Sequence, residues 1–216
     1  MKILSVVGAR PNFMKIAPLS AAIQQHNLSH PDRFLDHQII HTGQHYDIRL
    51  SDSFFRDLNI PDADINLEVG SGTHAEQVGR PMMAFEKVLY HIRPHWVVVV
   101  GDVNATLACS VTAKKECIKL CHIEAGLRSG DLTMPEEINR LVTDRLSDLL
   151  LTPDRISSKN LRNEGVLKEK IRFVGNIMID TLEANREKAA AIEINDIIAA
   201  NRIADPGKLP SIDFSG

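Results

Sequence analysis

Short apolar runs alternate with longer amphipathic stretches along nearly the whole chain. The runs at 2–7, 36–41, 65–67, 96–100, 120–123, 149–151 and 171–174 predict strands. The best of them are continuous and β-branched, as expected of strands covered on both faces. Ala75, Val78, Met82, Phe85, Leu89 and Ile92 recur at steps of three and four, one apolar stripe on one helix. Pro81 falls inside that stripe and predicts a kink or a late helix start. Ile138, Leu141, Val142, Arg145 and Leu149 repeat the pattern less cleanly. Thr73-x-x-Glu76 and Thr133-x-x-Glu136 read as capping boxes, and Gly165 as a helix stop. This alternation predicts an α/β fold with a doubly wound, mostly parallel sheet and right-handed crossovers. Residues 182–204 read as helical and 205–216 as a frayed tail. The expected organisation is therefore a Rossmann-like domain over 1–180, followed by a helical extension and tail over 181–216.

Composition narrows the function. Hydrophobic residues make up 44% of the 216 and charged residues 25%, a globular balance. A net charge of -3 argues against a nucleic-acid or anionic-membrane binder, and 5% aromatics is thin for stacking on single strands. The longest apolar runs, such as 96–100, are too short to span a bilayer. The first apolar stretch turns polar at Arg10, which does not read as a signal peptide. Cys109, Cys117 and Cys121 are an odd count, which fits a reducing cytoplasm. All three are expected to be small buried hydrophobes, since Cys117-x-x-x-Cys121 lacks the further ligands of a zinc site.

In open α/β sheets ligands bind beyond the carboxyl ends of the strands. Four predicted strands run into polar segments there: Gly8-Ala-Arg10-Pro-Asn-Phe-Met-Lys15, Thr42-Gly43-Gln44-His45-Tyr46-Asp47, Gly101-Asp102-Val-Asn104 and Glu124-Ala-Gly126-Leu-Arg128. Arg10 and Lys15 beside a helix start suit a phosphate, or else are a solvated pair on a surface loop. Asp102 and Glu124 follow buried strands, so they either bond loop amides or stand ready for proton transfer. Glu136 adds a third acid, unless it only closes its capping box. Gly70-Ser-Gly72-Thr73-His74 lacks a full phosphate-loop signature and reads as a loop feeding a capped helix. His41 and His45 make a weak metal pair with no third ligand, and no metal site is expected. His122 shares a strand face with Glu124 and reads as a positioned hydrogen-bonding group.

These segments, with His122-Ile-Glu-Ala-Gly-Leu-Arg128, Pro135-Glu-Glu-Ile-Asn-Arg140 and Val174-Gly-Asn176, strongly resemble the non-hydrolysing UDP-N-acetylglucosamine 2-epimerase family. The motifs keep the family's order from Gly8 to about Asp180. The resemblance implies the amino-terminal Rossmann-like half of a glycosyltransferase-B fold, with the second domain without counterpart here. It implies catalytic roles for Asp102, Glu124, Glu136 and Lys15, and substrate contacts for Arg10, Gln44, His45 and Arg128. Gln44 and His45 match a region beside a regulatory substrate molecule in bacterial members. Ile48 stands where that motif typically has Met, so the resemblance does not extend to allosteric control. The implied partner is a UDP-sugar, with no nucleic acid, membrane, metal or redox cofactor, and dimerisation follows by family analogy. A chain holding one wall of the cleft is expected to have little or no activity alone. The alternatives are a hydrolysing relative and a non-catalytic domain.

Overall fold

The computed structural model describes residues 1–8, 10–43 and 62–193, and of Arg10 only the backbone. The elements run β1 (Lys2–Val7), α1 (Arg10–Ser29), β2 (Asp36–His41), β3 (Ile65–Asn66), α2 (His74–Ile92), β4 (Trp96–Val100), α3 (Asn104–Lys115), β5 (Lys119–Ile123), α4 (Pro135–Leu146), β6 (Leu149–Thr152), α5 (Arg155–Asn163), β7 (Ile171–Phe173) and α6 (Ile177–Ala190). All seven strands predicted from the apolar runs form, with ends moved by one residue at most. They build one parallel sheet in the order β3-β2-β1-β4-β5-β6-β7. This is the Rossmann-like doubly wound arrangement.

Both faces of the sheet are covered, which is why the central runs are apolar without alternation. Ile3, Val7, Val98, Val100, Cys121 and Ile123 pack against Phe13, Ile16 and Ile23 of α1. Leu4, Val6, Val97, Val99 and Leu120 pack on the other side against Phe85 and Leu89 of α2 and Cys109 and Ala113 of α3. A smaller cluster of Leu150, Leu161 and Ile171 seats α5. Residues 1–181 form one compact unit, closed where the Thr181 hydroxyl donates to Met14 O at 2.6 Å. The chain from Leu182 belongs to a second unit, in which α6 continues to Ala190. The tail expected at 205–216 lies outside the described residues. Among the described residues, no helix is long and apolar enough to cross a membrane.

The Thr73–Glu76 capping box forms, and Gly165 ends α5 with φ +82°. Helix α2 starts at His74 and runs through Pro81, so of the two alternatives there the late start does not occur. Three expectations are corrected. The second capping box does not form: the Thr133 hydroxyl donates to Asp131, Met134 takes the cap position and Pro135 opens α4. Cys117 is exposed, in a left-handed turn with φ +58°, while Cys109 and Cys121 are buried. The apolar stripe of α4 does not face the core. Ile138 is 47% exposed, while Glu137, Asn139, Thr143 and Asp144 point inward. The reason is electrostatic, since the inward face meets the charged and polar ends of β4 and β5, described below.

Phe85 is fully buried between α2 and the sheet. Phe85→Ala is expected to cost about 3–5 kcal/mol. Urea unfolding checks it, and a loss under about 1 kcal/mol would show that this face is not part of the core.

Candidate functional site

The strand order reverses between β1 and β4, and the crevice at such a switch point is where open α/β sheets hold ligands. Gly8 follows β1. A Cβ there would lie 2.7 Å from Ala105 Cβ, so tight packing against the start of α3 accounts for this glycine. Gly101 follows β4 with φ +69°. A Cβ there would lie 3.3 Å from Asn12 Nδ2, 3.5 Å from Lys15 Nζ and 3.7 Å from Glu124 Oε2. Its bare Cα therefore lies beside a charged cluster.

That cluster is built from four elements. Lys15, in the second turn of α1, places Nζ 2.5 Å from Glu124 Oε2 beyond β5. The two side chains are 17% and 12% exposed, a charge-assisted contact shielded from bulk water but open to the lip. Glu124 has φ +70°, a left-handed conformation that costs a side-chain-bearing residue on the order of 1–3 kcal/mol. Its neighbours hold it there: Ala125 N donates to Leu151 O and Gly126 N to Asp144 Oδ2. From α1, Asn12 Nδ2 donates to Val100 O.

Asp102 is clamped from α4. Arg140 Nε and Nη2 both donate to its Oδ2, at 2.9 and 2.6 Å, and Asn139 Nδ2 donates to its backbone carbonyl at 2.8 Å. Oδ1 carries no hydrogen bond among the described residues. Arg140 Nη1 reaches on to Glu137 at 2.7 Å. Glu137 also accepts from the amides of Ser129 and Gly130, at 3.0 and 3.1 Å. Burial pushes the Glu137 carboxyl up, but the Ser129 and Gly130 amides and Arg140 outweigh it and bring it down to about 2.

Behind the lip, His122 Nδ1 meets Asp144 Oδ1 at 2.6 Å and Nε2 meets Gly101 O at 2.9 Å. Asp144 Oδ2 also takes Gly126 N at 3.0 Å and Arg128 Nη1 at 2.8 Å. Burial pushes the Asp144 carboxyl up. The hydrogen bond and charge of His122, together with Arg128, outweigh it and hold the carboxyl below the usual range. Arg128 spends its remaining contacts on Leu127 O and on both oxygens of Glu164, which leaves one of its five N–H groups unused among the described residues.

The lip therefore joins a Lys–Glu pair, an Arg-held aspartate and loops bracketed by buried carboxylates. The family model described as UDP-N-acetylglucosamine 2-epimerase matches residues 28–205. The chain belongs to the UDP-N-acetylglucosamine 2-epimerase family. A Methanococcus maripaludis UDP-N-acetylglucosamine 2-epimerase homolog is 45% identical over 182 residues, 84% of this chain and 48% of the relative. The Pseudomonas aeruginosa UDP-2,3-diacetamido-2,3-dideoxy-D-glucuronate 2-epimerase is 46% identical over 183 residues, 84% of this chain and 50% of the relative. The crystal structure of Methanocaldococcus jannaschii UDP-GlcNAc 2-epimerase, in complex with UDP-GlcNAc and UDP, superposes with a TM-score of 0.85 at 41% identity. That match covers 93% of this chain and 54% of that one. The chain spans about half the length of the curated relatives it matches.

Set against the epimerase motifs, Lys15 and Glu124 pair at the lip beside Gly101, which Asp102 follows in the chain. Arg10 opens α1 beside the lip. Glu136 is exposed in the first turn of α4, with no ion pair or hydrogen bond among the described residues, while its neighbour Glu137 is the buried latch. Arg128 is turned onto Asp144 and Glu164. Gln44, His45 and Ile48 lie outside the described residues, so the His41–His45 pairing has only one described member. His41 packs on Phe13 with ring centroids 5.1 Å apart, and burial pulls its pKa down. Four partners went unassigned in the sequence: Arg140, Asn139, Glu137 and Asp144. The one signal that could have found them is the spacing of Glu137 and Arg140 at i and i+3 in an otherwise apolar-striped helix.

Glu137 yields a prediction with a definite sign. Its folded carboxyl lies near 2 against 4.5 when unperturbed. Its charged-state contribution is therefore fully present above about pH 4.5 and is lost as pH falls through about 2. Glu137→Gln is expected to lower stability by about 2 kcal/mol at neutral pH. The gap from the parent protein should close on acidification across that window. Denaturant titrations at a series of pH values check it, and a gap that widens toward acid is the contrary result.

Proposed function

We propose that this chain supplies the catalytic wall of a nucleotide-sugar 2-epimerase that interconverts UDP-GlcNAc and UDP-ManNAc. The observation that carries the reading is the Lys15–Glu124 pair beside Gly101 at the strand-order switch, with the Arg140-held Asp102 next in the chain and its Oδ1 without a hydrogen bond among the described residues. The C2 proton of the sugar neighbours an acetamido group and not a carbonyl, so removing it without a leaving group is slow. Eliminating UDP solves this. A carboxylate takes the C2 proton, the C–H electron pair forms the C1=C2 bond, and the C1–O bond breaks to release UDP. Re-addition of UDP to the resulting 2-acetamidoglucal, with a proton delivered to the opposite face of C2, inverts that centre. Asp102, Glu124 and Glu136 are the acids available for the two proton transfers. Lys15 offers positive charge toward the departing diphosphate, a role the resemblance also gives Arg10, and fixed charges aimed at developing charge often supply the largest catalytic effect.

A second reading concerns the sugar. The relative named for UDP-2,3-diacetamido-2,3-dideoxy-D-glucuronate is as similar as those named for UDP-GlcNAc. Both names describe UDP-linked 2-acetamido sugars, which is the substrate class we propose. The three unpaired cysteines support a reducing, cytoplasmic setting. Pairing of two copies rests on family analogy alone.

Incubation of the chain with each sugar in deuterated water tests the proposal. Deuterium is expected at C2 of recovered UDP-sugar, at a rate orders of magnitude below that of a full-length relative, because positioning alone is worth about 7–11 kcal/mol. Asp102→Asn and Glu124→Gln should each lower that rate at least about 100-fold. Free N-acetylmannosamine as the product would favour a hydrolysing enzyme. Failure of both UDP-sugars and UDP to bind in titration calorimetry would favour a non-catalytic domain.

A further inference from the structure

His122 lies on β5, fully buried, opposite Val99 of β4 and on the same face as Leu120. A polar ring on an apolar face is costly unless both nitrogens are satisfied. Each nitrogen faces one oxygen, one in the loop after β4 and the other on α4. Nε2 is 2.9 Å from Gly101 O. A carbonyl oxygen has no hydrogen to give, so Nε2 carries the hydrogen and donates. Nδ1 lies 2.6 Å from Asp144 Oδ1. Asp144 cannot turn away, since Gly126 N and Arg128 hold its other oxygen, and Glu164 holds Arg128 in turn. The ring is thus fixed in orientation and in the nitrogen it presents to Gly101.

The carbonyl it grips belongs to the peptide that leads into Asp102. Fixing that oxygen fixes the peptide plane and the direction in which the Asp102 backbone leaves Gly101. Gly101 N donates to Ile123 O at 3.2 Å, so the turn is also held to β5 through its amide. Three contacts then surround Asp102: His122 on the peptide before it, Asn139 on its own carbonyl and Arg140 on Oδ2. Among the described residues, Oδ1 is what remains free.

We propose that His122 is a positioning residue for Asp102: its Nε2–H holds the Gly101 carbonyl, and Asp144 behind the ring fixes the orientation in which Nε2 meets it. The inference rests on reading Asp102 as a catalytic acid. It adds that the Asp102 loop and the Glu124–Arg128 loop are geared together through one imidazole. A disturbance at Arg128 or Asp144 therefore reaches Asp102 without touching it.

The test is nuclear magnetic resonance of the folded chain at neutral pH, with two variants. A slowly exchanging His122 Nε2–H proton, with a through-space contact to the Asp102 amide, is expected in the parent protein. A glutamine amide reaches the place of Nε2, whereas an asparagine amide reaches only that of Nδ1. His122→Gln should leave the Asp102 amide and Arg140 Nε signals near their parent positions. His122→Asn should shift both, and raise Arg140 Nε–H exchange about tenfold, the scale of one lost buried hydrogen bond. Equal effects of the two variants would reduce His122 to a packing role and overturn the proposal. If a variant fails to fold, the parent spectrum decides: no hydrogen on Nε2 overturns it. None of these readouts needs turnover, so loss of the epimerase reading, seen as absent C2 exchange, is distinguishable from loss of this one.

Discussion

The lip depends on one buried carboxylate. Asp144 is 2% exposed and would carry a desolvation penalty of several kcal/mol if left alone. It is offset by three donors from three directions: an imidazole on β5, a backbone amide in the loop after β5, and the Arg128 guanidinium. Remove the carboxylate and each donor loses its acceptor within a few ångströms of Gly101 and Glu124. The strained backbone at Glu124 is tolerable because the residues following it are pinned in this way.

The inward polar face of α4 follows from the same constraint. An ordinary surface helix turns its apolar stripe to the sheet. Helix α4 instead crosses the carboxyl ends of β4 and β5, where the loops bring unpaired amides and a carboxylate that must be satisfied. Asn139, Arg140, Glu137 and Asp144 satisfy them, and Leu132, Met134 and Ile138 are left facing outward. The helix gives up apolar burial in exchange for holding two loops in register.

The architecture was legible in the sequence because each strand is covered on both faces, so its run of Val, Ile and Leu needs no partner to be recognised. Lys15, Asp102 and Glu124 were legible because strand ends point to one edge in a parallel sheet. What stayed hidden was set by tertiary contacts. Thr133-x-x-Glu136 has the spacing of a capping box, yet Asp131 two residues earlier captures the Thr133 hydroxyl. The stripe over Ile138, Leu141 and Val142 suggests a core-facing helix, yet burial follows hydrogen-bond demand at that end of the sheet. Cys117 occupies a tight left-handed turn before β5, a position that small size alone does not forecast.

The outermost strands carry one more consequence. β3 has two residues and β7 three, while the inner strands are four to six residues long. A border that short offers few free amides and carbonyls for another polypeptide to align with. Arg172 on β7 places a cation at that boundary, bonded back to Glu169 O and Ile171 O. The sheet thus ends in margins poorly suited to templating fibrillar stacking, even though its interior is rich in the β-branched residues that such stacking favours.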